Sequence, residues 1–142
     1  MNFLKPKFWN SKNNIITIFL LPISLLFGFL ITVKKYFIKK LKFKIPIICV
    51  GNIYLGGTGK TPLSILIAQT LRSDERKPVI IKKYYQKHID EIEMIKNVTN
   101  DLIINRNRVK AVLEAQEKKF NLIILDDGFQ DYTIKSDLNI IC

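Results

Sequence analysis

Three glycines, two threonines and a lysine make up six consecutive residues, Gly56-Gly57-Thr58-Gly59-Lys60-Thr61. Neither a helix nor a strand interior suits that density of glycine, so the run is expected to be a loop. Its flanks say what it joins. PIICVG (46–51) is an apolar run with the length of a buried strand. Thr61 to Arg72 places Leu63, Leu66, Ile67 and Leu71 near helical spacing. Pro62 suits a first helical turn, where a missing N–H costs little. The chain is thus constrained here to strand, glycine loop, helix.

The remaining pattern extends that unit. PVII (78–81) reads as a second strand, and DLIIN (101–105) as a short one. Residues 82–97 are ambiguous, with helical signal near their end. Arg108 to Lys119 reads as a helix with Val109, Val112, Leu113 and Gln116 along one side. NLIILDD (121–127) and DLNIIC (137–142) are further strands. Strands alternating with helices indicate a parallel sheet with helices on its faces. The last strand ends at the chain terminus with no helix to cover it, whereas a parallel sheet wants both faces covered. An interrupted, longer protein is the expectation.

A glycine loop between strand and helix suits a phosphate group. Glycines let backbone N–H groups approach phosphate oxygens, and the helix turns its positive end toward the anion. Gly56, Gly57, Thr58, Gly59, Lys60 and Thr61 are the expected nucleotide-binding residues, with Lys60 neutralising phosphate and Thr61 offering a hydroxyl to Mg²⁺. One departure stands out. The usual spacing puts a glycine at position 54, and this chain has Tyr54. A second element supports the reading: Leu122 to Leu125 run straight into Asp126 and Asp127. Acids at the carboxyl end of a parallel strand lie where open α/β sheets bind ligands. One could bind Mg²⁺, directly or through water, while the other positions it.

Ahead of this lies a different kind of segment. No residue from Asn13 to Val33 is charged. Ile15 to Val33 would span about 28 Å as a helix, close to a ~30 Å hydrocarbon core. No small-residue cleavage site follows Val33, so a retained anchor is expected, spanning or half inserted. The net charge is +11, and much of it flanks this run: Lys5, Lys7 and Lys12 before it, Lys34, Lys35, Lys39, Lys40, Lys42 and Lys44 after it. That placement fits anionic lipid, with the C-terminal side cytoplasmic. No zinc-finger spacing, RNA-binding aromatic signature or basic zipper helix is present, so no nucleic acid partner is expected, and no protein partner is evident. The two cysteines, Cys49 and Cys142, have no metal-ligand spacing, and Cys49 reads as a buried thiol.

VGNIYLGGTGKTP (50–62) with DDGFQ (126–130) resembles the tetraacyldisaccharide 4'-kinases, the lipid A 4'-kinases of Gram-negative bacteria. In that family V-G-N precedes a loop that lacks the first glycine, which accounts for Tyr54. LLPISLLFGFL (20–30) is similar to the family's membrane-associated N-terminal helix. The resemblance implies an α/β, P-loop NTPase-like parallel sheet with flanking helices, preceded by an N-terminal hydrophobic membrane-anchor helix. Residues 1–45 would be the anchor and basic juxtamembrane segment, and 46–142 a kinase domain lacking its C-terminal lobe. It implies transfer of the γ-phosphoryl of ATP, with Mg²⁺, to the 4'-hydroxyl of tetraacyldisaccharide 1-phosphate, a lipid A precursor, at the cytoplasmic face of the inner membrane. Lys60 and Thr61 match the family's phosphate and metal pair, Asp126 and Asp127 its acidic strand end. IDEIEMI (89–95) matches a G-D-E-P segment, giving Asp90 the role of catalytic base with Glu91 beside it.

There are departures. The family's S-R-G-Y-G is here KKYYQ (82–86), its D-D-G-x-Q-H ends in Asp131, and its R-D is Ser136-Asp137. His88 matches no family histidine and reads as a solvated loop residue. Lys60, Asp90 and Asp127 are the expected catalytic residues, Thr61, Asp126 and Asp127 the metal ligands. The 142 residues alone are expected to be inactive as a kinase, whether fragment or truncated gene. The alternatives are a membrane-tethered P-loop ATPase of partitioning type, which would carry a lysine where Leu55 stands, or a non-catalytic nucleotide-binding remnant.

Overall fold

The structure, a computed structural model, describes residues 15–52, 59–73, 75–85 and 89–142. The chain divides into two compact units, Met1–Lys39 and Lys40–Cys142.

In the first unit, α1 (Ile15–Phe37) has 23 residues with exposed apolar side chains along its length. Its Ile18–Phe37 stretch, with mean hydropathy 1.9, is long and apolar enough to cross a membrane. Two of its hydroxyls bond within the helix: Ser24 donates to the Leu21 carbonyl at 2.9 Å and Thr32 to that of Gly28 at 2.8 Å. That arrangement suits surroundings with no water to supply partners. Pro22 lies inside the helix, and Lys34 and Lys35 close it.

The second unit is a five-stranded sheet, every pair parallel: β1 (Ile47–Gly51), β2 (Pro78–Lys83), β3 (Leu102–Asn105), β4 (Leu122–Asp126) and β5 (Leu138–Ile141). The spatial order is β3-β2-β4-β1-β5. Between them run α2 (Lys60–Leu71), α3 (Ile89–Val98) and α4 (Arg108–Glu117). The ambiguous stretch after β2 thus resolves into α3. The segment after α1 is tied into this unit. Leu41 N–H donates to the Thr133 carbonyl at 2.8 Å, and Ile45 is buried.

Alternation along the strands sorts the core into two layers. Ile47, Cys49, Val79, Ile81, Ile103, Ile123 and Leu125 pack with Ala111, Val112 and Ala115 of α4. Val50, Ile80 and Ile124 pack on the other face with Ile65 and Ala68 of α2 and Ile95 of α3. The buried faces of the helices differ from the apolar spacing in the sequence. On α2 the buried residues are Thr61, Ser64, Ile65 and Ala68, while Leu66 is exposed. On α4 they are Arg108, Ala111, Val112 and Ala115, while Leu113 and Gln116 are exposed. Small side chains let each helix approach the sheet closely.

Two glycines lock the site's loops together. A Cβ on Gly51 would stand 2.6 Å from the Phe129 ring, and one on Gly128 would stand 2.4 Å from Cys49 Sγ. The end of β1 and the turn after β4 therefore interlock through absent side chains. Gly51→Ala and Gly128→Ala are each expected to destabilise the globular unit by about 2 kcal/mol through overpacking. Urea unfolding of the two variants beside Gly28→Ala, a site with nothing within 4 Å of a new Cβ, checks this.

Candidate active site

The register of the sheet builds the site. Asp126 ends β4, opposite Val50 on β1 and Lys82 on β2. It shares strand parity with Ile124, as Lys82 does with Ile80, so both polar groups point to the α2 face. There Thr61 Oγ donates to Asp126 Oδ2 at 2.9 Å, and Ser64 Oγ to Asp126 Oδ1 at 3.1 Å. Lys82 Nζ ion-pairs with the same Asp126 Oδ2. It also lies 3.3 Å from Thr61 Oγ and 2.6 Å from Glu91 Oε2 at the start of α3. Asp126 is fully buried, and the Lys82 side chain is 4% exposed.

Asp127 is set differently. It adopts a left-handed backbone, φ 56°, a conformation Asp tolerates better than most residues. Its carboxylate meets Lys60 Nζ at 3.0 Å, and Lys60 also donates to Asn52 Oδ1 at 3.1 Å. Gly59, at φ 76°, precedes α2 and needs the freedom of glycine there. Buried Arg108 holds the turn from behind. Its guanidinium donates to the Asp126 carbonyl at 3.3 Å and the Asp127 carbonyl at 2.5 Å, and reaches Asp131 at 3.6 Å.

Charge states follow from these contacts. For Lys82, burial acts against the charged form as the largest effect. The charge and hydrogen bond of Asp126, joined by Glu91, outweigh it and hold the ammonium above the ordinary lysine range. Asp131 also feels burial most. Its hydrogen bonds from the Thr133 hydroxyl and amide, with Arg108 and Lys83 nearby, overcome it and hold the carboxyl below the usual range. Burial pushes the Cys49 thiol up to about 11, so it is neutral at physiological pH, as a packed side chain rather than a nucleophile.

The structure thus brings Lys60, Thr61, Asp126 and Asp127 together, and with them Ser64, Lys82, Glu91, Asn52 and Arg108. Asp90 stands exposed in the first turn of α3, and it is its neighbour Glu91 that reaches Lys82. Gly56, Gly57, Thr58, Tyr54, Leu55 and His88 lie outside the described residues. The hydroxyl of Thr61 and the carboxylates of Asp126 and Asp127 are hard oxygen donors of the kind Mg²⁺ takes. Among the described residues no cluster of three or more His, Cys, Asp or Glu could hold a metal by itself. Such a set suits a cation shared with phosphate oxygens.

Comparison with known proteins addresses the family and the fold. The family profile for tetraacyldisaccharide-1-P 4'-kinase, LpxK, matches residues 16–142. The chain belongs to this family. A Tetraacyldisaccharide 4'-kinase of Pelagibacter ubique is 42% identical over the whole chain, which covers 45% of that protein. One from Aliarcobacter butzleri is 34% identical over 91% of the chain and 46% of its own length. A crystal structure of LpxK from Aquifex aeolicus in complex with ATP superposes with a TM-score of 0.70 at 28% identity. That match covers 89% of this chain and 49% of the other. The chain spans about half the length of the curated relatives it matches.

The tetraacyldisaccharide 4'-kinase resemblance had marked Ser136-Asp137 and Asp131 as departures, and both have structural partners. Asp137 Oδ2 accepts from Ile47 N–H at 2.9 Å, fixing β5 beside β1. Asp131 binds Arg108 and Thr133. Ser64 and Arg108 escaped the sequence reading as site residues, and Lys82 entered it only as the first residue of the KKYYQ departure. The available signal was parity: PVIIK and LIILD are like-length apolar runs ending in opposite charges.

Asp126→Asn leaves the Lys82 ammonium buried beside a neutral amide. Chemical denaturation of this variant is expected to show a loss of about 3 kcal/mol or more. Asp131 gives a pH signature. Its folded pKa is depressed, so its contribution is complete above the ordinary carboxylate pKa and is lost as pH falls through the folded value. Thermal melts from pH 7 to pH 2.5 are expected to show a shallower acid decline for Asp131→Asn than for the native chain.

Proposed function

We propose that this chain is the nucleotide-binding portion of an ATP-dependent lipid kinase. The reaction moves the γ-phosphoryl of ATP to the 4'-hydroxyl of tetraacyldisaccharide 1-phosphate, a lipid A precursor. The observation that carries the reading is the meeting of Lys60-Thr61, at the start of α2, with Asp126-Asp127, at the end of β4. Membership of the tetraacyldisaccharide-1-P 4'-kinase family supplies the acceptor.

Phosphoryl transfer asks the protein mainly for positioning and charge. The N-terminus of α2 directs positive potential at the phosphates, and the glycine-rich run 56–59 would add backbone N–H donors to it. Lys60 meets the β- and γ-oxygens and neutralises the charge that develops on transfer. Asp127, Lys60's partner, orients that ammonium. Thr61, Asp126 and Asp127 would hold Mg²⁺, which when bound neutralises β- and γ-phosphate oxygens. Asp90 serves as the base that takes the proton of the acceptor hydroxyl. Its place supports this, since α3 begins just beyond the carboxyl end of β2, the sheet edge that carries Asp126.

We also propose that residues 1–45 form the anchor and basic juxtamembrane segment and 46–142 the nucleotide-binding domain, with that domain on the cytoplasmic side of the inner membrane. The length and hydropathy of α1 support the anchor. The lysines from Lys34 to Lys44 support attraction to anionic lipid, worth ~1 kcal/mol each near the surface.

Equilibrium binding of a fluorescent ATP analogue to the chain in detergent micelles tests the nucleotide site. Lys60→Ala is expected to weaken it about tenfold or more, through loss of a charge-assisted contact. Adding the lipid disaccharide with labelled ATP, and supplying the remaining half of a relative, sorts the classes. Labelled disaccharide supports the kinase. Free phosphate alone indicates an ATPase, and binding without either product indicates a remnant; both overturn the transfer reading.

A further inference from the structure

The position that a divalent cation would take between Thr61 and Asp126 already has a positive charge in it. Lys82 Nζ bonds Asp126 Oδ2 and lies 3.3 Å from Thr61 Oγ, touching both oxygens at once. Those oxygens are themselves 2.9 Å apart, so one cation can bridge them. The ammonium is not a surface group that happens to fold inward. It comes from a strand position in register with Asp126, is 4% exposed, and is held from outside by Glu91 at 2.6 Å.

Beside the ion pair, a hollow lined by Lys82, Glu91, Asp126 and Asp127, of which Thr61 is no part, holds about 10 Å³, the lower limit for a single water. A metal brought in beside the ammonium would also meet a like charge at close range in a buried setting, where screening is weak.

We propose that Lys82 is a built-in competitor for the cation seat of this site. Its ammonium stands where a divalent ion would bind Thr61 and Asp126, and a metal takes that seat only as Lys82 withdraws toward Glu91. Glu91 makes the withdrawal feasible, because the displaced charge keeps a carboxylate partner. Two consequences follow. The seat has low affinity for a metal that arrives alone. Nucleotide phosphates meet one fixed positive charge there before any metal does. The inference deepens the nucleotide-and-cation reading and rests on it, but its test needs no nucleotide.

The experiment is Mn²⁺ binding to the full chain in detergent micelles, read by the electron paramagnetic resonance signal of free Mn²⁺ and by the melting midpoint. The native chain is expected to bind weakly and to melt at the same temperature with and without millimolar Mn²⁺. Lys82→Met is expected to melt lower without metal, to bind Mn²⁺ about tenfold or more tighter, and to regain about 4 °C or more when it is added. Lys82→Gln, which keeps a donor toward Asp126 and Thr61, gives a second uncharged variant if Lys82→Met does not fold. It should show the same ordering of affinities. Equal Mn²⁺ affinity in the native chain and the uncharged variant overturns the proposal. If ATP binding then still depends on Lys60, the seat inference alone has failed. If the uncharged variant gains Mn²⁺ and no chain binds ATP, the competing lysine stands and the nucleotide reading falls.

Discussion

A single carboxylate organises the second unit. Asp126 is fully buried at the end of the central strand, where an unpaired charge would be costly. Thr61 and Ser64 bring α2 to it, Lys82 brings β2, and Glu91 ties α3 to Lys82. Three elements are thereby oriented around one oxygen pair. Arg108 acts on the same point through the backbone, holding the carbonyls of Asp126 and Asp127. Asp127 is thus turned outward, in a backbone conformation that leaves its carboxylate facing Lys60.

Two stretches far apart in sequence meet beside these acids through glycines. Gly51 gives way to Phe129, and Gly128 to Cys49. The turn after β4 can press onto the end of β1 only because both lack side chains. Gly128 N–H then donates to the Val50 carbonyl at 3.1 Å, extending the parallel pairing past the strand end. The DDGF run is therefore as much a packing device as a chemical one.

Much of the fold was legible in the sequence. Apolar runs of strand length, separated by helical stretches, gave the parallel sheet, and the glycine run gave the loop. Lys60, Thr61, Asp126 and Asp127 were legible because their residue types are unusual at the ends of such runs. The inner faces of α2 and α4 were not, because apolar spacing favours leucines while this sheet accepts alanine and serine. Lys82 was not, since a lysine ending a strand ordinarily reads as solvated. Only register with Asp126, a tertiary fact, turns it into a buried ion pair. The strand order is equally non-local, and nothing in the chain's periodicity predicts that β4 lies between β1 and β2.

That strand order has a consequence for how the unit forms. β1 and β2 are consecutive in the chain yet never pair with each other; each pairs with β4. The centre of the sheet is therefore missing until almost the whole unit has been synthesised. Until then the edges of β1 and β2 that will face β4 have no partner, and such edges invite association with other chains. Folding limited by long-range parallel pairing is intrinsically slow. The chain's vulnerable interval is thus its own biosynthesis, and holding nascent copies apart during that interval would protect it.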